Sequence, residues 1–312
     1  MNALTWGMVR ELSRWLAVWR DDPKIAAVLV KAAPGRVFCA GGDIKAVTDV
    51  VRSGGVSAAL PFFREEYRLN WRIHNFPKPY LALLDGVTLG GGVGISVHGA
   101  IRIVTENSLV AMPETAIGFF PDVGATWFLP RCPGEVGMYL GLTGARLNGA
   151  DCLHAGIGTH PLPASRLEEF EAMLPDRLES GDSREAIAGA LAELREDIGE
   201  ASLPELRARI DRCFGADTLA EVLDRLAAEH AEQLELASLY AAAADRALHR
   251  DDPPEKRLRA AVGNLGVYAV CLGVVPDDKD RTAVAALMRA TFPALLAQEI
   301  DEAVGLRARD AA

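Results

Sequence analysis

Apolar residues recur at three- and four-residue intervals through Leu4, Met8, Leu12, Trp15, Leu16 and Trp19, and this spacing predicts an amphipathic helix over residues 4–19. A different pattern follows. Residues 25–30 form a continuous apolar run behind Asp21-Asp22-Pro23, and residues 80–84 form a second behind Lys78-Pro79. Runs this short, bounded by turn residues, are those of buried strands. Residues 101–104 and 109–112 predict two more, and helical stretches lie at 43–51, 61–76 and 91–99. The first half therefore reads as alternating β and α units around a largely parallel sheet. After about Pro163 the strand-like alternation stops, and helical patterns take over at 166–174, 184–198, 203–214 and 218–226. The expected organisation is an α/β core over residues 1–163 and a helical region over 164–312, with loops near Pro161, Gly181 and Pro253.

Composition narrows the function classes. The chain has 312 residues, half of them hydrophobic and 24% charged, which fits a folded globular protein. A net charge of −10 disfavours nucleic acid and anionic membrane as partners, although a local basic patch could hold an anionic group. The uncharged stretch at 260–276 is shorter than the ~20 residues of a membrane span and contains Gly, Asn and Pro. Five scattered cysteines, with no CxxC, suggest neither a disulfide framework nor a zinc site but a reducing compartment. With no basic and apolar leader at the start, the expected location is the cytoplasm.

Candidate chemistry lies in glycine-rich turns and buried acids. Phe38-Cys39-Ala40-Gly41-Gly42-Asp43-Ile44 and Leu89-Gly90-Gly91-Gly92-Val93-Gly94 each lead from a strand into a helix. Neither has the dinucleotide or P-loop register. Either cluster could serve tight helix packing; two such loops could instead converge amides on one oxygen, as acyl or enolate chemistry requires. Glu114 and Asp122 lie in apolar surroundings, where a carboxylate is costly unless paired or functional; the alternative is a helix cap. Glu66 shares a helical stripe with Phe62, Leu69, Ile73 and Phe76, so it needs a partner, and a buried arginine pair is the structural alternative. Ser96 and His98 point apart on a helix and the chain has no GxSxG, which argues against a serine triad. His154 and His160 have no accompanying metal ligands, and Cys39 reads as a small buried hydrophobe.

These motifs, together with Lys78-Pro79-Tyr80, Asp85-Gly86, Val93-Gly94-Ile95-Ser96-Val97-His98-Gly99 and Met112-Pro113-Glu114-Thr115-Ala116-Ile117-Gly118-Phe119-Phe120-Pro121-Asp122-Val123-Gly124, resemble the enoyl-CoA hydratase/isomerase (crotonase) superfamily. The likeness runs over about residues 2–230. It begins inside the family's first helix, without the strand expected ahead of Asn2, and fades from about residue 236. The resemblance implies a crotonase-like fold of repeated ββα units with a helical C-terminal region. It also implies an acyl-CoA thioester substrate whose carbonyl is held by the amides of Gly42 and Gly91. Glu114 would be the main catalytic carboxylate, Asp122 would assist proton transfer or hold a substrate hydroxyl, and Glu66 would bind substrate.

Among the branches, the sequence is most similar to hydrolases of short branched β-hydroxyacyl-CoA thioesters, with 3-hydroxyisobutyryl-CoA of valine breakdown as the expected substrate. Hydratases of the superfamily carry a second catalytic Glu where this chain has Gly94. Dienoyl-CoA isomerases share the Glu114 and Asp122 spacing and are the enzymatic rival. A non-catalytic CoA-binding or assembly subunit is the third reading. The resemblance implies no metal and no cofactor beyond the CoA of the substrate, and a possible homo-oligomer.

Overall fold

The helix expected at the start is present in the computed structural model, which describes residues 2–33, 35, 37–179 and 181–232. The helix α1 (Trp6–Asp21) starts behind Thr5, whose hydroxyl accepts the Met8 amide at 3.2 Å, and it buries Val9 and Leu16. Three passes follow, each of two strands and a helical stretch. The first comprises β1 (Val28–Val30), β2 (Val37–Cys39), α2 (Ile44–Gly54) and α3 (Val56–His74). The second comprises β3 (Tyr80–Leu84), β4 (Val87–Leu89) and α4 (Gly91–Val97). In the third, β5 (Ile101–Val104) and β6 (Leu109–Ala111) lead to a 3-10 turn, Glu114–Ile117, and to α5 (Ala125–Phe128). Then come α6 (Val136–Thr143), β7 (Leu147–Asn148), α7 (Gly149–His154), β8 (His160–Pro161), α8 (Leu167–Leu178), α9 (Ser183–Leu194), α10 (Leu203–Phe214) and α11 (Leu219–Glu232).

The first strands of the passes pair with one another and so do the second strands, giving two four-stranded sheets, β1-β3-β5-β8 and β2-β4-β6-β7. All pairs are parallel except β6 with β7. This ββα spiral replaces the single sheet that the long apolar runs suggest. The reason is local: β2 and β4 are three residues long, too short to show a period, and the Asp85-Gly86 turn switches sheets with Gly86 at φ 101°. Asp85 Oδ1 fastens that turn to the next one, accepting Thr105 Oγ1 at 2.7 Å and Asn107 Nδ2 at 3.0 Å. Helix α3 begins at Val56, five residues before Pro61, where the sequence reading starts it, so Pro61 lies inside its second turn.

Two compact units are distinguished, one of residues 1–111, 122–133 and 146–204, the other of residues 112–121, 134–145 and, among the described residues, 205–232. The first holds both sheets. Its core packs Leu81, Leu83, Ile101 and Ile103 against Phe170 and Leu174 of α8 and Ile187 and Leu191 of α9. Each such side chain contributes about 1.5–3 kcal/mol when fully buried. In the second unit Asp211 accepts the Glu135 amide at 2.9 Å and the Arg207 guanidinium at 2.8 Å, and Tyr139 meets Phe214 edge-on at 5.4 Å. Among the described residues no helix is long and apolar enough to cross a membrane. The expected helical region beyond residue 232, including the stretch at 260–276, lies outside the described residues.

Candidate active site

Two glycine loops meet at the mouth of α4. Strand β2 delivers one of them: Leu4 forms a parallel bridge beside it, its amide donating to the Gly41 carbonyl at 2.8 Å and its carbonyl accepting the Asp43 amide at 3.0 Å. The intervening Gly42 amide takes part in neither bond. Strand β4 delivers the other, and Gly91 is the first residue of α4, where a helical amide has no acceptor within its own helix. A Cβ placed on Gly91 would stand 3.1 Å from the Gly42 nitrogen and 2.7 Å from Glu66 Oε1. Gly42, Gly91 and Glu66, singled out separately in the sequence, are thus brought together. Gly92 plays the packing role instead, since a Cβ there would lie 2.7 Å from Cys39 Cβ.

Glu66 is 2% exposed, and its Oε1 has no hydrogen-bond partner among the described residues. The arginine pair considered as an alternative belongs to its neighbour: Glu65 takes Arg10 at 2.8 Å and Trp6 Nε1 at 2.7 Å. Burial, and then the nearby Asp122 carboxylate, push the Glu66 pKa up to about 8. At neutral pH this side chain is a protonated acid, able to donate. Asp122 is also raised by burial, an effect partly offset by the Tyr67 hydroxyl, which donates to Oδ2 at 2.7 Å. The Asp122 side chain does not cap α5. Gly124 holds the capping position, and only the Asp122 carbonyl is used, by the Ala125 amide at 2.7 Å.

The loop carrying Asp122 is strained and tethered. Val123 sits at φ 44°, a region β-branched residues avoid. Its carbonyl accepts His98 Nε2 at 2.7 Å, which assigns a proton to that nitrogen, and burial lowers the His98 pKa. A Cβ at Gly94 would fall 2.6 Å from Val123 Cβ and 3.0 Å from Asn70 Nδ2. The space that a longer residue would need at position 94 is therefore filled by Val123. Glu114 lies in the other unit, as the buried first residue of the 3-10 turn, where its carbonyl accepts the Phe119 amide at 3.1 Å.

Tyr67 and Asn70 are the residues that sequence reasoning passes over, and His98, weighed there only as a triad partner of Ser96, instead tethers the Asp122 loop. Asn70 carried a usable signal, a polar side chain four residues beyond Glu66 on α3. Ser96 Oγ is spent inside α4, on the Gly92 carbonyl at 2.8 Å, and Cys39 is buried with a raised pKa, consistent with packing roles.

Comparison with known proteins defines the class. Residues 1–253 match the family model for enoyl-CoA hydratase/isomerase, and the chain belongs to that family. It is 45% identical over 231 residues to the mitochondrial 3-hydroxyisobutyryl-CoA hydrolase of Xenopus tropicalis, covering 72% of this chain and 59% of the relative. It is 42% identical over 244 residues to the small ribosomal subunit protein mS47 of Neurospora crassa, covering 74% and 48%. Among solved structures it superposes on a carnitinyl-CoA dehydratase from Mycobacterium thermoresistibile with a TM-score of 0.70 at 30% identity, covering 99% of this chain and 84% of that one. The chain spans about 59% of the length of the first of these relatives.

The names also correct one expectation. The hydrolase relative is named mitochondrial, which overturns the cytoplasmic placement. Scattered free cysteines report only a reducing environment, and mitochondrial transit peptides are amphipathic and Arg-rich, so neither signal used for that placement separates the two compartments.

Proposed function

We propose that this chain hydrolyses a short branched β-hydroxyacyl-CoA thioester, with 3-hydroxyisobutyryl-CoA, as in valine breakdown, the substrate. The observation that carries the reading is the meeting of the Gly42 and Gly91 backbones beneath the buried Glu66 acid. In the proposed reaction the two amides hold the thioester oxygen as it becomes an oxyanion, and Glu114 is the carboxylate that brings water to the carbonyl carbon, as base or through an acyl intermediate. The C–O bond forms, the C–S bond breaks, and the proton released from water goes to the thiolate of CoA. In this reading Asp122, its pKa raised by burial, serves as the proton carrier or as a second contact to the substrate. Donors aimed at a developing oxyanion are worth about 3–4 kcal/mol each.

Crowding at Gly94 speaks against hydration, which in this family uses a second Glu at that position. The likeness to a protein named as a ribosomal subunit favours, as the second reading, an assembly subunit that has kept the fold. Thiol release from 3-hydroxyisobutyryl-CoA, 3-hydroxypropionyl-CoA and crotonyl-CoA, with enoyl absorbance followed in parallel, separates these readings. Release from the hydroxyacyl substrates is expected, and Glu114→Gln should lower it roughly 100-fold or more while acyl-CoA binding changes little. A change of enoyl absorbance without thiol would refute the hydrolase reading, and silence in both channels from folded protein would leave the assembly subunit.

A further inference from the structure

Helices α3 and α4 face each other across glycines in two successive steps. Glu66 stands over Gly91, and one turn further along both helices Asn70 stands over Gly94. The second step is as buried as the first. Asn70 is 4% exposed, and neither its Nδ2 nor its Oδ1 has a hydrogen-bond partner among the described residues. A buried amide with both ends unsatisfied destabilises the fold, and native structures keep such groups rarely and for a reason. With Glu66 Oε1 it makes three orphaned polar atoms along one helix face, offering donors and an acceptor to a single guest.

We propose that Asn70 is a specificity-determining residue that reads the β-hydroxyl of the acyl group, its Nδ2 donating to the hydroxyl oxygen and its Oδ1 accepting the hydroxyl proton. The inference rests on the acyl-CoA reading of the Gly42 and Gly91 amides. It extends the site from the thioester carbonyl to the substituent two carbons away. One helical turn is about 5 Å, a span that a β-hydroxyl plus its hydrogen bond covers when the carbonyl oxygen sits at the Gly91 amide. Leucine has the same branching with methyl groups in place of the amide oxygen and nitrogen, so it removes both unsatisfied groups but is the bulkier side chain. Discrimination by a buried amide that binds a hydroxyl is strong because a guest lacking the hydroxyl leaves the amide unpaired.

The test uses non-hydrolysable acyl-CoA analogues, in which a methylene replaces the thioester sulfur, measured by calorimetry with and without the β-hydroxyl. The wild-type chain should prefer the hydroxylated analogue by about tenfold or more, and Asn70→Leu should bring the two within about twofold. Should the leucine variant not fold, Asn70→Ala must show the same loss of preference. A wild type that does not discriminate, or a folded variant that keeps the preference, overturns the proposal. Because binding is read without turnover, a chain that releases no thiol but loses its preference on Asn70→Leu would sink the hydrolase reading and leave this one standing.

Discussion

A single methyl group at Gly91 would stand 2.7 Å from the Glu66 carboxyl and 3.1 Å from the Gly42 amide. The first of these contacts is the far end of a flexible side chain, which can swing aside, so the fold should tolerate the change. The chemistry should not, because the methyl occupies the space a thioester oxygen would share with both amides. Gly91→Ala is expected to lower kcat/KM for thiol release by roughly 100-fold or more with a small change in melting temperature. Near wild-type turnover in a folded variant would remove the two glycines from the reaction. At this scale Glu66 was legible in the sequence because a carboxylate on an apolar helical stripe is anomalous whatever its neighbours are. Tyr67 and His98 were not, since what they do depends on Asp122 and Val123, which lie 55 and 25 residues away along the chain.

Helix α4 owes its position to its lack of side chains. Gly92 lies against Cys39 of β2, Gly94 against Val123, and beyond the helix end Gly99 against Tyr80 of β3, with the ideal Cβ of each 2.6–2.7 Å from its neighbour. At Gly94 the obstruction is the branched carbon of a residue already strained at φ 44°, which cannot rotate out of the way. Gly94→Ala should therefore cost about 1–3 kcal/mol of stability and displace the Asp122 loop, which thermal melts and thiol-release kinetics would register together. An unchanged melting temperature would mean that the loop has room the structure does not show. The glycine cluster announced tight packing in the sequence, but not which glycine packs and which lines the site. The same limit applies to the strands. Runs such as residues 80–84 are long enough to be read, whereas β2 and β4, three residues each, acquire their identity only from pairing with each other and with β6.

Over the whole molecule, the buried titratable groups of the first unit impose opposite pH dependences on stability. Glu66 has its folded pKa raised to about 8, so the folded chain holds a proton that the unfolded chain releases near the ordinary Glu value. Its contribution is fully present in acid and is lost as pH rises toward 8. Asp122, also raised, acts with the same sign. His98 and His160 are lowered by burial, so the unfolded chain takes up protons first and stability falls as pH drops below about 6.5. Above about pH 6.5 the histidines are largely neutral in both states, and the raised Glu66 carboxyl sets the slope. From there to pH 8 one proton is worth roughly 2 kcal/mol, or about 4–8 °C in melting temperature for a domain of this size. The melting temperature should decline from about pH 6.5 toward pH 8. Glu66→Gln should flatten the alkaline side while leaving the acid side, which His98 and His160 govern, as it was. A decline that survives that substitution would place the titrating group elsewhere and return Glu66 to the ordinary carboxylates.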